Sequence, residues 1–409
     1  MKTKRNKIFM LVCLLMMMAL ILTACGSKDA ANEGTGDNAA QGEKETVKIA
    51  FIGPLTGSNA TEGIGPRNTF DLAVKQANAS GDLPVNLEVE FFDDASNPGT
   101  AASVAQKIVS DPSIVAVSGH WNTGCAEATN PIFISASIAD CIWGAIGPSL
   151  TVKENMPYIT RVCPTSVQEN VPLAAFVIDK LGLKKWAVIS STTVYGKANS
   201  EAWRSEVEKR DGGTIVSLDE ITDGSTDFRP ILSKIKNEDI DALYYGGNIM
   251  EAALIRKQMN EVGLQDVMMC GISGIVSPKF VEVAGKAAEG VVVTQPGAPT
   301  EKMPGGPEFI KAYEDAKYSD PYGAYGAYSY DSANIIIQAI KEVGKADRKA
   351  IAEKIAATKY EGLLGTTTFD ENGQTTNSLS TIYVVQDGQF VAWDDSKYAT
   401  NELKLPGAK

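Results

Sequence analysis

The residues that could carry out chemistry in this chain are few in kind. His120 is the single histidine among 409 residues. One imidazole cannot build a two-histidine zinc site, and a Ser-His-Asp device would have to converge on that one ring. A lone histidine of this kind reads first as a structural one. The cysteines are Cys13, Cys25, Cys125, Cys141, Cys163 and Cys270, and none forms a C-x-x-C pair. The phosphate loop, H-E-x-x-H, G-x-S-x-G and the EF-hand loop are all absent from the sequence. Gly63-x-Gly65 runs into Pro66 and reads as a flexible turn rather than a dinucleotide fingerprint. Asp93-Asp94 follows an apolar run and reads as loop and cap chemistry. The expectation is a protein without catalytic residues, cofactor or metal. Reversible binding is the chemistry that remains.

Cys25 has a context of its own. Lys2, Lys4, Arg5 and Lys7 precede an uncharged apolar run over residues 8–22. Such a run is short for a membrane span of about 20 residues. A basic head with a short apolar core reads as a secretory signal peptide over 1–24. Leu22-Thr23-Ala24-Cys25 resembles a bacterial lipobox, in which Cys25 takes a diacylglyceryl group and becomes the new N-terminus. Two acyl chains satisfy the rule that stable anchoring needs two hydrophobic signals. The alternative is an ordinary signal with an incidental cysteine. Residues 25–45 are rich in Gly, Ala, Asn and acidic residues, and read as a flexible tether beyond the lipidated Cys25.

The formal net charge is −12. Residues 1–24 hold four positive charges and no negative ones, so the exported body carries −16. An acidic body argues against nucleic acid as a partner. Outside the cytoplasm disulfides are permitted. Cys125, Cys141, Cys163 and Cys270 allow three full pairings, which the sequence leaves open.

These residues need elements to position them. Short β-rich runs at 47–52, 87–92, 114–118, 138–143 and 158–162 alternate with helical stretches at 68–79 and 101–110. The pattern restarts after Cys163-Pro164, with strands at 186–190, 214–218, 242–245, 267–270 and 291–294 and a helix at 196–210. A Pro/Gly-rich connection follows at 292–307, then a helix over 331–343, a turn at 369–373 and a late strand over 380–385. Strands alternating with helices predict right-handed βαβ units and parallel sheets covered on both faces. The fold class is α/β with two doubly wound lobes. Ligands in such sheets bind at the carboxyl ends of strands, and between lobes where there are two.

The segment VKIAFIGPLTG at 47–57 is similar to the opening strand and loop of type I periplasmic binding proteins of the branched-chain amino-acid (Leu/Ile/Val) family. Phe92-Asp93-Asp94, Ser118-Gly119-His120, Val194-Tyr195-Gly196, residues 241–247 (DALYYGG), Ala288-Glu289-Gly290, residues 320–325 (DPYGAY) and 369–373 (FDENG) resemble it too, in the family's order. The resemblance covers about residues 46–395. It implies a substrate-binding subunit of an ATP-binding-cassette importer, whose lobes close on one solute and then dock on a permease and its ATPase. It also implies three chain crossings at a hinge, near 165, 295 and 374. One lobe is then 46–165 plus 296–373, and the other is 166–295 plus 374–409.

The resemblance assigns site residues one at a time. The loop Trp121-Asn122-Thr123 takes the place of the family's carboxylate-binding loop, where backbone N–H groups and a helix N-terminus favour an anion. Thr123 keeps the family's hydroxyl, and its alternative role is a plain helix N-cap. Gly144 and Ile146 stand where the next strand end gives a backbone contact and a second hydroxyl, so the hydroxyl is missing. Tyr195 and Tyr245 match the two tyrosines of the second lobe. Ser273 replaces the acidic residue that meets the solute's ammonium. Losing that carboxylate matters, because a buried charge needs a partner. Glu62, placed in the first loop, either supplies the missing charge from the other lobe or is a solvated glutamate. Trp121, Trp143 and Tyr325 either line a wide apolar or cation-attracting pocket or, for the tryptophans, pack in the core.

The reading is a lipid-anchored extracytoplasmic solute-binding protein of an importer, monomeric, with a Leu, Ile or Val ligand as the family's default. An aromatic acid, an amide or a cationic compound is the alternative solute, and a sensing receptor the alternative role. A surface enzyme on this fold is disfavoured by the single histidine.

Overall fold

The computed structural model describes residues 44–407. The expected signal peptide, Cys25 and the tether up to residue 43 lie outside the described residues. Strand β1 (Thr46–Gly53) is buried on both faces. Val47, Ile49 and Phe51 meet Phe70 and Ala73, while Ala50 and Ile52 meet Ile108 and Phe133. A strand buried on both faces belongs inside a sheet with helices above and below.

The first sheet takes β1, β2 (Asn86–Asp93), β3 (Ile114–Ser118), β4 (Ala139–Ile142) and β5 (Ile159–Arg161) in the order β2-β1-β3-β4-β5, all parallel. Between its strands run α1 (Thr61–Ser80), α2 (Pro98–Ser110) and α3 (Thr123–Ser135). The chain then continues through α4 (Ser166–Ala174), β6 (Lys185–Ser191), α5 (Val194–Glu208), β7 (Thr214–Ile221), α6 (Arg229–Ile235), β8 (Ala242–Gly246), α7 (Ile249–Val262), β9 (Met268–Gly271), α8 (Pro278–Ala284) and β10 (Val292–Pro296). These strands form a second parallel run, β7-β6-β8-β9-β10, which repeats the order of the first. Each run has a switch point, between β1 and β3 and between β6 and β8, where a doubly wound sheet opens a crevice.

After β10 come α9 (Gly306–Asp315), α10 (Gly326–Val343), α11 (Arg348–Ala356) and a small antiparallel pair, β11 (Tyr360–Gly362) and β12 (Gly365–Thr367). Helix α10 packs along α1, beside the first sheet. The chain ends with β13 (Ser380–Gln386) antiparallel to β10 and β14 (Gln389–Ala392) antiparallel to β13. Two features depart from the sequence reading here. The sheets are not wholly parallel, because β13 returns to the second sheet from the opposite direction. Strand β14 was not foreseen; it follows a two-residue loop, Asp387-Gly388, with both residues at positive φ (52° and 78°). An Asp-Gly pair is a strong signal for such a hairpin.

The helix expected at 68–79 begins at Thr61, so Glu62 lies in a helical first turn and not in a loop. Gly63 and Gly65 are close-approach residues rather than a flexible turn. A Cβ on Gly63 would stand 2.0 Å from the Pro54 carbonyl oxygen, and one on Gly65 would stand 2.5 Å from that of Pro321. Cys125, Cys141, Cys163 and Cys270 are all buried and unpaired. Burial pushes the Cys163 thiol up to about 12, so it stays a neutral core residue.

The crossings between the two sheets are stitched together by Arg161, at the end of β5. Its side chain is fully buried. Nη1 donates to the carbonyls of Ala145 (3.1 Å) and Gly147 (2.6 Å), Nη2 to Thr151 Oγ1 (2.7 Å), and Nε to Gln374 Oε1 (2.7 Å). Gln374 in turn donates to the Cys163 carbonyl at 2.9 Å. The backbone of Arg161 is bonded to Gly373 and Thr375. Arg161→Ala removes four buried hydrogen bonds, and the expected cost is about 3 kcal/mol or more of unfolding free energy. Urea denaturation of the variant beside the parent checks this, and a change within about 0.5 kcal/mol contradicts it.

Candidate functional site

The strand ends of the two sheets face a shared narrow cleft. Trp121 and Asn122 follow β3, and Gly144 and Ile146 follow β4. Tyr195 opens α5 after β6, Asn248 precedes α7 after β8, and Gly274 follows β9. Tyr325 sits at the N-cap of α10. Together these eight residues line the cleft. The lining is mixed in character: an indole, two phenols and an isoleucine, with two amides and bare backbone at two glycines. Sites for small solutes have this composition.

Each wall is held in place from behind. Arg161 draws the carbonyls of Ala145 and Gly147 away from the cleft, and Ile146 O accepts from Ser166 N. That fixes the loop carrying Gly144 and Ile146. Gly147 packs under Thr123, where a Cβ would come within 2.2 Å of its Cγ2. Trp143 donates from Nε1 to the Ile52 carbonyl (3.1 Å), lies stacked on Phe51 at 5.4 Å and meets the edge of Tyr325 at 6.2 Å. It is fully buried core, and it props Tyr325 against the cleft instead of lining it. His120 is also structural in its contacts: Nδ1 pairs with Asp94 (2.8 Å) and Nε2 with Thr129 (3.0 Å), all three buried.

On the second sheet, Tyr195 OH accepts from Asn199 Nδ2 at 3.3 Å and from the Gly274 N–H. Its approach requires a glycine, since a Cβ at 274 would stand 2.1 Å from that hydroxyl. Asn199 is tied to Asn170 and Tyr244 in a buried amide–phenol network. Burial raises the Tyr195, Tyr244 and Tyr325 hydroxyls well above the usual phenol range, so all three act as neutral hydrogen-bonding groups.

The structure therefore gathers Trp121, Asn122, Gly144, Ile146, Tyr195 and Tyr325 around one cleft, and leaves four assigned residues behind its walls or apart from it. Thr123 is the first residue of α3, whose N-cap position is Asn122, so the N-cap alternative for Thr123 is corrected. The Thr123 hydroxyl is buried without a partner. Tyr245 lies under Gly247, with its hydroxyl 2.2 Å from where a Cβ would be. Ser273 accepts from Tyr325 OH at 2.8 Å, a bond that joins the element after β9 to the start of α10. Glu62 lies at the buried start of α1 and meets the Ser277 and Thr61 hydroxyls rather than the cleft.

Three residues were missed by sequence reasoning. Asn248 and Gly274 follow their strands directly, and the switch-point rule would have found them. Glu169, in the first turn of α4, is the third. It is fully buried, and Oε2 accepts from the Ser273 N–H at 3.1 Å. Among the described residues, no group of three or more His, Cys, Asp or Glu side chains is placed to hold a metal ion. No described helix is long and apolar enough to cross a membrane.

Burial holds the Glu62 carboxyl up at about 7, against the pull of its two hydroxyl partners. A carboxyl raised in the folded state stabilises the fold below its unfolded value of about 4.3 and loses that contribution as pH rises through 7. Glu62→Gln is therefore expected to stabilise the protein at pH 8, by on the order of 1–3 kcal/mol, and to change little at pH 4. Thermal melts at the two pH values check this; equal effects at both would contradict it.

A family model described as periplasmic binding protein matches residues 46–389. The leucine-, isoleucine-, valine-, threonine- and alanine-binding protein of Pseudomonas aeruginosa is 29% identical over 341 residues, covering 83% of this chain and 90% of that one. A branched-chain amino acid transporter substrate-binding protein from Streptococcus pneumoniae, solved with isoleucine, superposes with a TM-score of 0.77 at 25% identity, over 85% of this chain and all of the other. A solute-binding protein of an ABC transporter from R. palustris, solved with benzoate, shares the fold at a TM-score of 0.74 and 19% identity, over 85% and 95% of the two chains. These relatives are solute-binding proteins and not enzymes. With two lobes of repeated strand order and a cleft at the facing strand ends, the chain belongs to the periplasmic binding protein family, in its type I form.

Proposed function

We propose that the chain is the solute-capturing subunit of an ATP-binding-cassette importer and that its solute is a small apolar α-amino acid of the Leu/Ile/Val kind. The observation that carries this reading is the cleft itself. It is formed by strand ends of both sheets, lined by Trp121, Asn122, Ile146, Tyr195 and Tyr325, and holds a polar atom buried without a partner at Asn122 Oδ1. Unpaired buried polar atoms are costly, and a bound carboxylate or amide that pairs with them recovers that cost. The named relatives bind amino acids of this kind. Closure around the solute shifts an open–closed balance and stabilises the folded form.

Family membership places the folded part outside the cytoplasm. The finer assignment is that the protein works as a monomer, tethered by lipidated Cys25 to the outer face of the membrane, where it meets a permease and its ATPase. The apolar run over 8–22 and the Leu22–Cys25 sequence support it.

L-leucine, L-isoleucine or L-valine is expected to raise the melting temperature by roughly 5 °C at a thousandfold excess over Kd. If none of the three moves it, the amino-acid assignment fails. Cys25→Ser is expected to move the protein from the membrane fraction to the soluble one and to abolish incorporation of labelled palmitate. Unchanged labelling contradicts the anchor.

A further inference from the structure

The family's ammonium-binding acid is absent at Ser273, and Glu62 lies outside the cleft lining. A different carboxylate, Glu169, accepts from the Ser273 N–H. We infer that Glu169 is the ammonium-recognising residue of the cleft, acting with Ser273, Tyr195 and Tyr325, and that the solute must carry a positively charged amine. The inference rests on the solute-capture reading and adds the residue and the chemical class to it.

Four observations carry it. First, Glu169 Oε2 accepts from the Ser273 N–H at 3.1 Å. The Ser273 hydroxyl accepts from Tyr325 OH at 2.8 Å, so Ser273 stands between a cleft-lining phenol and the buried carboxylate. Second, Oε1 of Glu169 is buried and has no hydrogen-bond partner. A carboxylate oxygen left in this state calls for a donor. Third, the nearby hydroxyl of Ser166, one turn earlier on α4, is also buried and unpaired. Both could turn to the same donor. Fourth, Tyr195 and Tyr325 lie within electrostatic reach of Glu169 and line the cleft together with Gly274. Aromatic rings beside a buried carboxylate suit a cation with N–H donors.

The electrostatics fit this role. Burial holds the Glu169 carboxyl up at about 8, against the pull of Ser273 and the Arg161 charge. The groups that face it are Arg161 and Cys163 beside β5, Tyr195 on α5, Tyr244 on β8, and Tyr325 and Tyr328 at α10. The phenols and the thiol are raised and stay neutral between pH 6 and 8. Arg161 is lowered only to about 10 and stays charged. Glu62, Asp140 and Asp331 are held up at about 7 by burial; like Glu169 they stand behind the cleft lining, but their partners are Ser277 and Thr61, Gly119, and Leu363 and Leu364, and not Ser273, the partner of the cleft-lining Tyr325. At pH 7 Glu169 is mostly protonated before binding, and an ammonium selects the ionised form. Capture then releases a proton, and affinity rises by up to about tenfold per pH unit from 6 to 8.

The test is calorimetric titration of the purified full chain and its Glu169→Gln variant with L-leucine, with 4-methylpentanoate (the same skeleton without the amine) and with benzoate. The parent is expected to bind L-leucine at least about 30-fold more tightly than either acid, with proton release at pH 7. Glu169→Gln is expected to lose about 30-fold or more for L-leucine, to leave 4-methylpentanoate unchanged or improved, and to flatten the pH profile. The amide still accepts from Ser273, so the solute-free variant should melt at or above the parent at pH 8. A variant that binds L-leucine as well as the parent overturns the inference and leaves the capture reading standing. So does a parent that prefers the amine-free acids. If the parent binds none of the three probes, both the inference and the amino-acid reading fall.

Discussion

A guanidinium with no carboxylate in contact lies at the centre of this molecule. Arg161 spends its donors on neutral oxygens from the loop after β4, from Thr151 and from Gln374 of the returning chain. Burying that charge is expensive, as its pKa near 10 reflects. What the bonds achieve is placement. They turn Gly144 and Ile146 toward the cleft and tie two of the crossings between sheets to one side chain. They also set a positive charge within reach of Glu169, whose own burial favours the neutral acid. Burial, against the pull of Ser273 and then of that charge, holds the carboxyl up at about 8, where a cation arriving in the cleft decides its state.

The same logic explains the wall between the lobes. Tyr325 belongs to the helix beside the first sheet, and Ser273 follows a strand of the second. Their hydrogen bond joins the two elements beside the cleft. A contact of this kind, worth about 1 kcal/mol net, can be made and broken as lobes move. Trp143, by contrast, is locked to Phe51 and the Ile52 carbonyl, so the first lobe presents Tyr325 on a rigid backing. Rigid walls joined by weak bridges are what a reversible trap requires.

Much of this was legible in the sequence because the informative residues follow strands directly. Trp121, Gly144 and Tyr195 sit a few residues beyond their β-runs, and a doubly wound sheet must bring such positions together. Contacts made across the chain were not legible. Glu169 reaches Ser273 over 104 residues, and nothing in the spacing marks it apart from other helix-start glutamates. Trp143 stayed open between pocket lining and core packing because sequence cannot tell which face of a strand end its ring takes. Glu62 was misplaced because Gly63, Gly65 and Pro66 read as a loop, whereas the glycines permit a helix to press against Pro54 and Pro321. The antiparallel end of the second sheet depends on where a third crossing lands, which local pattern does not encode.

The most direct measurement is a crystal structure of the chain grown with L-leucine. The account predicts one molecule in the cleft between Trp121 and Tyr195, with its amine nitrogen about 2.7–3.0 Å from a Glu169 carboxylate oxygen. Leucine bound with its carboxylate toward Glu169, or bound away from this cleft, would contradict it.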